Sequence, residues 1–145
     1  MTKNPRKKNQ RGVTLIEMLV VVSIIGLIVA YVSINVFSKA DDAKAKLTRA
    51  QISTFSNALG LYKLDTGSYP PTELGLQALR QKPENAPAWA GPYLQQDVPL
   101  DAWQRPYLYK YPGDHDDSPD IISLGADGQP GGQGANADIV SWSSK

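Results

Sequence analysis

From Val13 to Phe37 the chain is apolar at every position except Thr14, Glu17, Ser23, Gly26, Ser33 and Asn35. The residues before it hold Lys3, Arg6, Lys7, Lys8 and Arg11 and no acidic residue. An apolar run of this length crosses a bilayer, whose hydrocarbon core takes about 20 residues of helix. Basic residues on its N-terminal flank keep that end in the cytoplasm and put the rest of the chain on the far side. A cleaved secretory signal fits poorly, because the run is too long and no small-residue cleavage site follows Val36 or Phe37. An uncleaved signal anchor fits the pattern but leaves Glu17 unexplained. A charge in the apolar part of a spanning helix costs about 3 kcal/mol and is normally paired, yet no Lys or Arg lies within a helical turn of Glu17 on its apolar side. Cutting the chain after Gly12 would supply a cation, since the new amino group of Val13 would sit at about the depth of Glu17.

The helical pattern continues past the membrane surface. Between Ser38 and Leu64 there is no Pro, and Ala43, Leu47, Ala50, Ile52, Phe55, Ala58, Leu59 and Tyr62 recur near helical spacing on one side. Leu47, Phe55, Leu59 and Tyr62 read as the chain's own core. Asp65-Thr66-Gly67 is a stop signal with Gly67 suited to a left-handed C-terminal position, so one helix is expected from Val13 to Leu64. Gly26 and Asn35 are its weaker points, suited either to local unwinding or to close helix packing.

Beyond Gly67 the pattern breaks into Pro, Gly and aromatics. A short helix is expected near Glu73 to Gln81, and strands at Tyr107 to Tyr111, Asp120 to Leu124 and Asp138 to Trp142. The economical arrangement is α+β, a long N-terminal helix packed on a small antiparallel sheet of about three strands. Trp89, Trp103, Trp142, Tyr93 and Tyr107 then serve as core and loop anchors.

Charge and composition narrow the function. Without the five basic residues that precede Val13, ten Lys and Arg remain against fourteen Asp and Glu, a net charge of −4 before terminal groups. That balance argues against a nucleic-acid partner, which requires clustered surplus cations. There is no cysteine, so no disulfide staples the head. His115 is the single histidine, within Asp114-His115-Asp116-Asp117; without a second His or a Cys to complete a transition-metal shell, this reads as a solvated acidic loop. No Ser has a plausible His and Asp pairing, and no Lys or helix start follows the glycines at 131 to 134, so neither nucleophilic catalysis nor phosphate binding is indicated. In Ser123 to Trp142, Asp127 and Asp138 bracket a loop with Gly128, Gly131, Gly132 and Gly134. Oxygen-rich clusters of that sort suit Ca²⁺. The loop fails as an EF-hand, since the third and fifth places are Gln129 and Gly131, and on residues alone it reads as a solvated glycine loop before a metal site.

Arg11-Gly12 followed by Val13-Thr14-Leu15-Ile16-Glu17 resembles the N-terminal signal of type IV pilins and pseudopilins. Tyr69 to Leu79, Gly91-Pro92-Tyr93-Leu94, and Pro99-Leu100-Asp101-Ala102-Trp103 running to Arg105-Pro106-Tyr107 resemble the major pseudopilin family of the type II secretion system, general secretory pathway protein G. The resemblance implies a leader over 1–12 removed by a prepilin peptidase between Gly12 and Val13, and methylation of the Val13 amine. It also implies a transmembrane and filament-core helix over 13–37, a periplasmic head over 38–145, and use of Glu17 in assembly. Val13 departs from the Phe or Met usual at the first mature position. The implied product is a single-pass inner-membrane subunit, N-terminus cytoplasmic, which polymerises with itself into a periplasmic pseudopilus. It would work with minor pseudopilins and the inner-membrane assembly platform to export folded proteins, and it is not an enzyme. The resemblance further implies calcium in the C-terminal loop, held by main-chain oxygens of Leu124 and Gln129 and side chains of Asp127 and Asp138, with Asn136 a further candidate where Ala137 replaces an Asp of some relatives. Two readings stand beside this one: a type IV pilin for adhesion or motility, and a signal-anchored calcium-binding periplasmic module.

Overall fold

The computed structural model describes residues 12–142, with the side chains of 33–38 left aside. The basic leader up to Arg11 and the side chain of Asn35 therefore lie outside the described residues. One α-helix, α1, runs unbroken over Leu15–Thr66 for 52 residues. By contacts the chain divides at Phe37 and Ser38 into two units, each described by itself.

In the first unit, Leu15–Val32 has a mean hydropathy of 2.7 and none of it is buried within the chain. The helix continues through Gly26 without a break, and a Cβ there would meet no other side chain. Exposed leucines, isoleucines and valines over this length are stable only in lipid or against other helices.

The second unit holds the remaining elements: two short 3-10 segments at Gly75–Leu79 and Gly134–Asn136, and strands β1 (Leu108–Lys110), β2 (Asp120–Ser123) and β3 (Ile139–Val140). The strands pair antiparallel in the order β1-β2-β3, with Tyr109 opposite Ile121 and Ile122 opposite Val140. They are shorter than the alternation predicts. Pro106 and Pro112 flank β1 and cannot donate to a ladder. The Leu124 carbonyl after β2 turns to accept from the Gly128 amide at 3.1 Å. Past β3, Ser141 continues the pairing, its amide donating to the Ile121 carbonyl and its hydroxyl accepting from the Ile121 amide, each at 3.0 Å. The expected helix near Glu73 to Gln81 is a single 3-10 turn, entered through Leu74 and Gly75 amides that both donate to the Pro71 carbonyl.

Ile52, Phe55, Ala58, Leu59 and Tyr62 of α1 form the core with Leu76, Ala78, Leu79, Leu94, Ile121 and Ile139. Tyr107 meets Phe55 edge-on with ring centroids 5.0 Å apart. Trp89 donates its indole N–H to the Ala78 carbonyl at 2.9 Å, and Trp89, Tyr93 and Trp103 pack against the core as anchors. The expected stripe needs one correction: Leu47 is 67% exposed, and Ala43 and Ala50 are exposed as well. The buried face follows 48, 52, 55, 59 and 62, spacings of four and three that place Leu47 about 100° off the stripe. Thr48 takes that place fully buried, its hydroxyl accepting from the Ala102 amide at 3.3 Å. The helix ends as its stop signal implies, with Gly67 at φ +86° and its amide donating to the Lys63 carbonyl at 2.8 Å.

Candidate functional site

At the N-terminal junction, Thr14 stands immediately before α1 and Glu17 is its third residue. The Glu17 amide donates to the Thr14 hydroxyl at 3.3 Å, and the Thr14 amide donates to Glu17 Oε2 at 3.4 Å. This reciprocal pair is a capping box, which satisfies two amides that a helix start otherwise leaves open. Thr14-x-x-Glu17 is legible in the sequence as such a box, but the membrane cost of Glu17 draws attention away from it. The ion pairs among the described residues do not include Glu17. Val13 is 62% exposed, and a Cβ on Gly12 would touch no atom of the chain. Nothing in this fold therefore demands glycine at position 12.

The C-terminal loop runs from the end of β2 to the start of β3, and its two arms are stitched by main-chain bonds. The Ala126 amide donates to the Ala135 carbonyl at 3.2 Å, and the Asp138 amide to the Gly131 carbonyl at 3.1 Å. Asp127 Oδ1 accepts from the Gln129 amide at 3.0 Å, and Asp138 Oδ2 from the Gly131 amide at 2.9 Å. Asp138 Oδ1 is buried and has no hydrogen-bond partner. Leu124 is half-buried at the end of β2, whereas Gln129 and Asn136 are exposed, Asn136 within the second 3-10 turn. The Asn136 carbonyl lies so close to Gly132 that a Cβ there would collide with it. Leu124, Asp127, Gln129, Asn136 and Asp138 all lie on this loop, and the two carboxylates make their hydrogen bonds to different amides. Among the described residues no cluster of three or more His, Cys, Asp or Glu forms.

Beneath the loop lies a turn at 101–105. Buried Asp101 accepts from the Trp103 and Arg105 amides at Oδ1, both at 2.9 Å, and from the Ser123 hydroxyl at Oδ2, at 2.6 Å. Arg105 in turn donates Nη1 to the Gly125 carbonyl and Nη2 to the Ala126 carbonyl, the latter at 3.0 Å. Nearby, burial pushes the Tyr107 hydroxyl up to about 12, with the Asp101 charge adding to the effect. Composition and spacing do not reveal Arg105 or Asp101 as supports of the loop, because 20 or more residues separate the partners.

The 114–118 loop is solvated as expected, His115 included, but the imidazole is not without partners. Its ring stacks on Trp142 with centroids 3.6 Å apart, and its Nδ1 lies 3.0 Å from Oδ2 of buried Asp120. That carboxylate also accepts from the Asp114 amide at 2.8 Å. Lys110 pairs with Asp114 and, by that hydrogen bond and its charge, holds the Asp114 carboxyl below its usual range. The cluster pins the 111–119 loop to the sheet and to Trp142.

Comparison with known proteins converges on one family. Residues 7–33 match the prokaryotic N-terminal methylation motif, and residues 35–142 match the model of type II secretion system protein G. The chain is 41% identical to the type II secretion system core protein G of Pseudomonas aeruginosa over 94% of its length and 98% of that protein. It is 39% identical to the core protein G of Vibrio cholerae, over 94% of each. A crystal structure of the major pseudopilin from the type 2 secretion system of enterohaemorrhagic Escherichia coli matches with a TM-score of 0.60 at 32% identity, covering 76% of this chain and 96% of that one. A long helix on a three-stranded antiparallel sheet, opening within a methylation motif and matched by protein G relatives over 94% of the chain, places the chain in the type II secretion system protein G family.

Proposed function

We propose that this chain is the major pseudopilin subunit of a type II secretion system, a building block and not an enzyme. The observation that carries the reading is the apolar segment Leu15–Val32, wholly exposed in the single chain and holding one carboxylate. Lipid of the inner membrane covers it before assembly, with the N-terminus cytoplasmic and the head periplasmic; neighbouring helices cover it afterwards. A prepilin peptidase cuts between Gly12 and Val13 and the new amine is methylated. The requirement for glycine at 12 then belongs to the peptidase, in keeping with a Cβ there touching nothing in the chain. The capping box gives the exposed Glu17 a hydrogen-bond partner in the isolated subunit. In the filament the carboxylate exchanges the Thr14 amide for the Val13 amine of an adjoining subunit, a charge-assisted contact that strengthens where water is excluded. Minor pseudopilins and the assembly platform are the further partners this role requires.

The same reading assigns Ca²⁺ to the C-terminal loop. The donor set fits: a buried carboxylate oxygen without a partner is costly, and Asp138 Oδ1 is such an atom. The holders are the carbonyls of Leu124 and Gln129 and the carboxylates of Asp127 and Asp138, with Asn136 as a further ligand. When bound, the ion supplies a cross-link between the two arms, the service a disulfide performs in chains that have cysteine.

Deleting the gene tests the function. Loss of secreted folded proteins with unchanged surface piliation is the expected result. Lost piliation with intact secretion would indicate a type IV pilin, and no change in either would leave only a signal-anchored module.

A further inference from the structure

We infer that Arg105 is a positioning residue for calcium, a built-in cation that holds the first arm of the C-terminal loop in its binding shape so that the metal has only the second arm to order. The inference rests on the calcium reading above.

The first arm, Leu124 to Gly128, is anchored from below. Ser123, next to Leu124, donates its buried hydroxyl to Asp101, and Asp101 fixes the Arg105 amide. From that base the guanidinium donates to two successive carbonyls, Gly125 and Ala126. A planar fork with parallel donors suits adjacent acceptors, and the point charge of a lysine does not reproduce it. The turn that presents it is tightly determined: Gln104 is held at φ +65°, a left-handed conformation that a non-glycine residue adopts only when its surroundings impose it. Gly128 closes the cradle. Its φ is +69°, and a Cβ there would lie 2.7 Å from Arg105 Nε, so glycine is required both for the backbone and for the guanidinium. With the Gly125 and Ala126 carbonyls turned to Arg105, the peptide that precedes Asp127 is fixed in direction. The Leu124 carbonyl is left to the Gly128 amide, with a second lone pair for a cation.

The second arm has no such base. Residues 129 to 136 are all exposed; main-chain bonds such as Ala126 to Ala135 and Asp138 to Gly131 close the arm, and the side chains that tie it are the two carboxylates assigned to the metal, Asp127 on the Gln129 amide and Asp138 on the Gly131 amide. One arm therefore has arginine beneath it, and the side chains that tie the other are metal ligands. A residue that orients ligands without touching the ion typically sets 10–100-fold in metal affinity, on the order seen for such supports.

The test uses the full-length chain in detergent, stripped with chelator and titrated with Ca²⁺ by calorimetry as wild type, Arg105→Lys and Arg105→Gln. We expect Arg105→Gln to bind Ca²⁺ about 10–100-fold more weakly and Arg105→Lys to fall between, since it keeps the charge and loses the fork. A merely structural arginine would lower the melting temperature with and without calcium alike and leave the dissociation constant within twofold, which would overturn the inference. Tighter binding in Arg105→Gln would overturn it as well, because repulsion between two cations would then outweigh positioning. Hydrogen exchange on the wild type needs no variant. In chelator the Gly128 amide should stay protected while those of Gly131 and Asp138 exchange fast, and simultaneous loss at all three would contradict a preformed first arm. A wild type that takes up no calcium overturns the calcium reading, and this inference with it; a wild type that binds beside an unaffected Arg105→Gln overturns this inference alone.

Discussion

Glu17 and Thr14 hold each other across the first turn of α1, each donating its amide to the other's side chain. The carboxylate that is costly in a membrane is therefore also part of the helix start, and it is occupied before any neighbour arrives. Breaking the two roles apart gives the first prediction. Glu17→Val removes a charge from lipid, so the chain should insert and be cleaved normally yet fail to polymerise and to support secretion. Thr14→Ala should cost only about 1 kcal/mol of helix stability and retain assembly, since the carboxylate remains. Secretion assays and filament cross-linking on the two variants check this, and normal secretion in Glu17→Val would remove Glu17 from assembly.

Calcium should stabilise the head. With the ion at about 100 times its dissociation constant, linkage gives about 2.7 kcal/mol. Chelation should lower the melting temperature of the full chain in detergent and expose Gly128 to Ala137 to protease, and Mg²⁺, which dehydrates reluctantly, should restore it poorly. Asp127→Ala and Asp138→Ala should match chelated wild type and ignore added calcium. His115→Ala should keep the full calcium shift, because His115 is engaged with Asp120 and Trp142 and not with the loop. If both Asp variants retain the shift, the ion is held elsewhere.

The buried stripe makes a prediction for two residues of similar size. Phe55→Ala should cost about 3–5 kcal/mol, since Phe55 is fully buried against Tyr107. Leu47→Ala should change stability by less than about 0.5 kcal/mol, since Leu47 faces away from the core. Thermal melts of the two variants distinguish this register from one in which Leu47 is core.

The head should weaken in alkali. Burial raises the Tyr107 hydroxyl to about 12, and Tyr109 is raised further for the same reason. In the unfolded chain both titrate near ~10, so above that pH the unfolded state loses protons first. Their contribution is whole below about pH 10 and falls away as the pH climbs through the folded values. Tyr107→Phe should flatten the decline between about pH 10 and 12; an unchanged slope would show that Tyr107 is not buried as described.

The long helix, its stop at Gly67 and the three strands were legible in the sequence, because each rests on local spacing or on a glycine stop. What was not legible depends on contacts between distant residues. Leu47 and Thr48 are adjacent on the helix, and only the Ala102 amide above Thr48 decides which of them is buried. Arg105 reads as one more surface cation until the Gly125 and Ala126 carbonyls are beside it. His115 reads as one more exposed side chain of an acidic loop until Trp142 stacks on its ring. The capping box is a different case: its signal is local, but Glu17 carries a second, costlier meaning that overshadows it.

The central claim is that the exposed apolar helix belongs to a processed filament subunit, and intact mass of the membrane-extracted protein tests it most directly. In cells that carry a prepilin peptidase, the chain should remain membrane-bound, begin at Val13 and carry the added mass of one methyl group. A Gly12 variant with a bulkier side chain should stay uncut. Membrane-bound wild-type protein with residues 1–12 still attached would contradict the account.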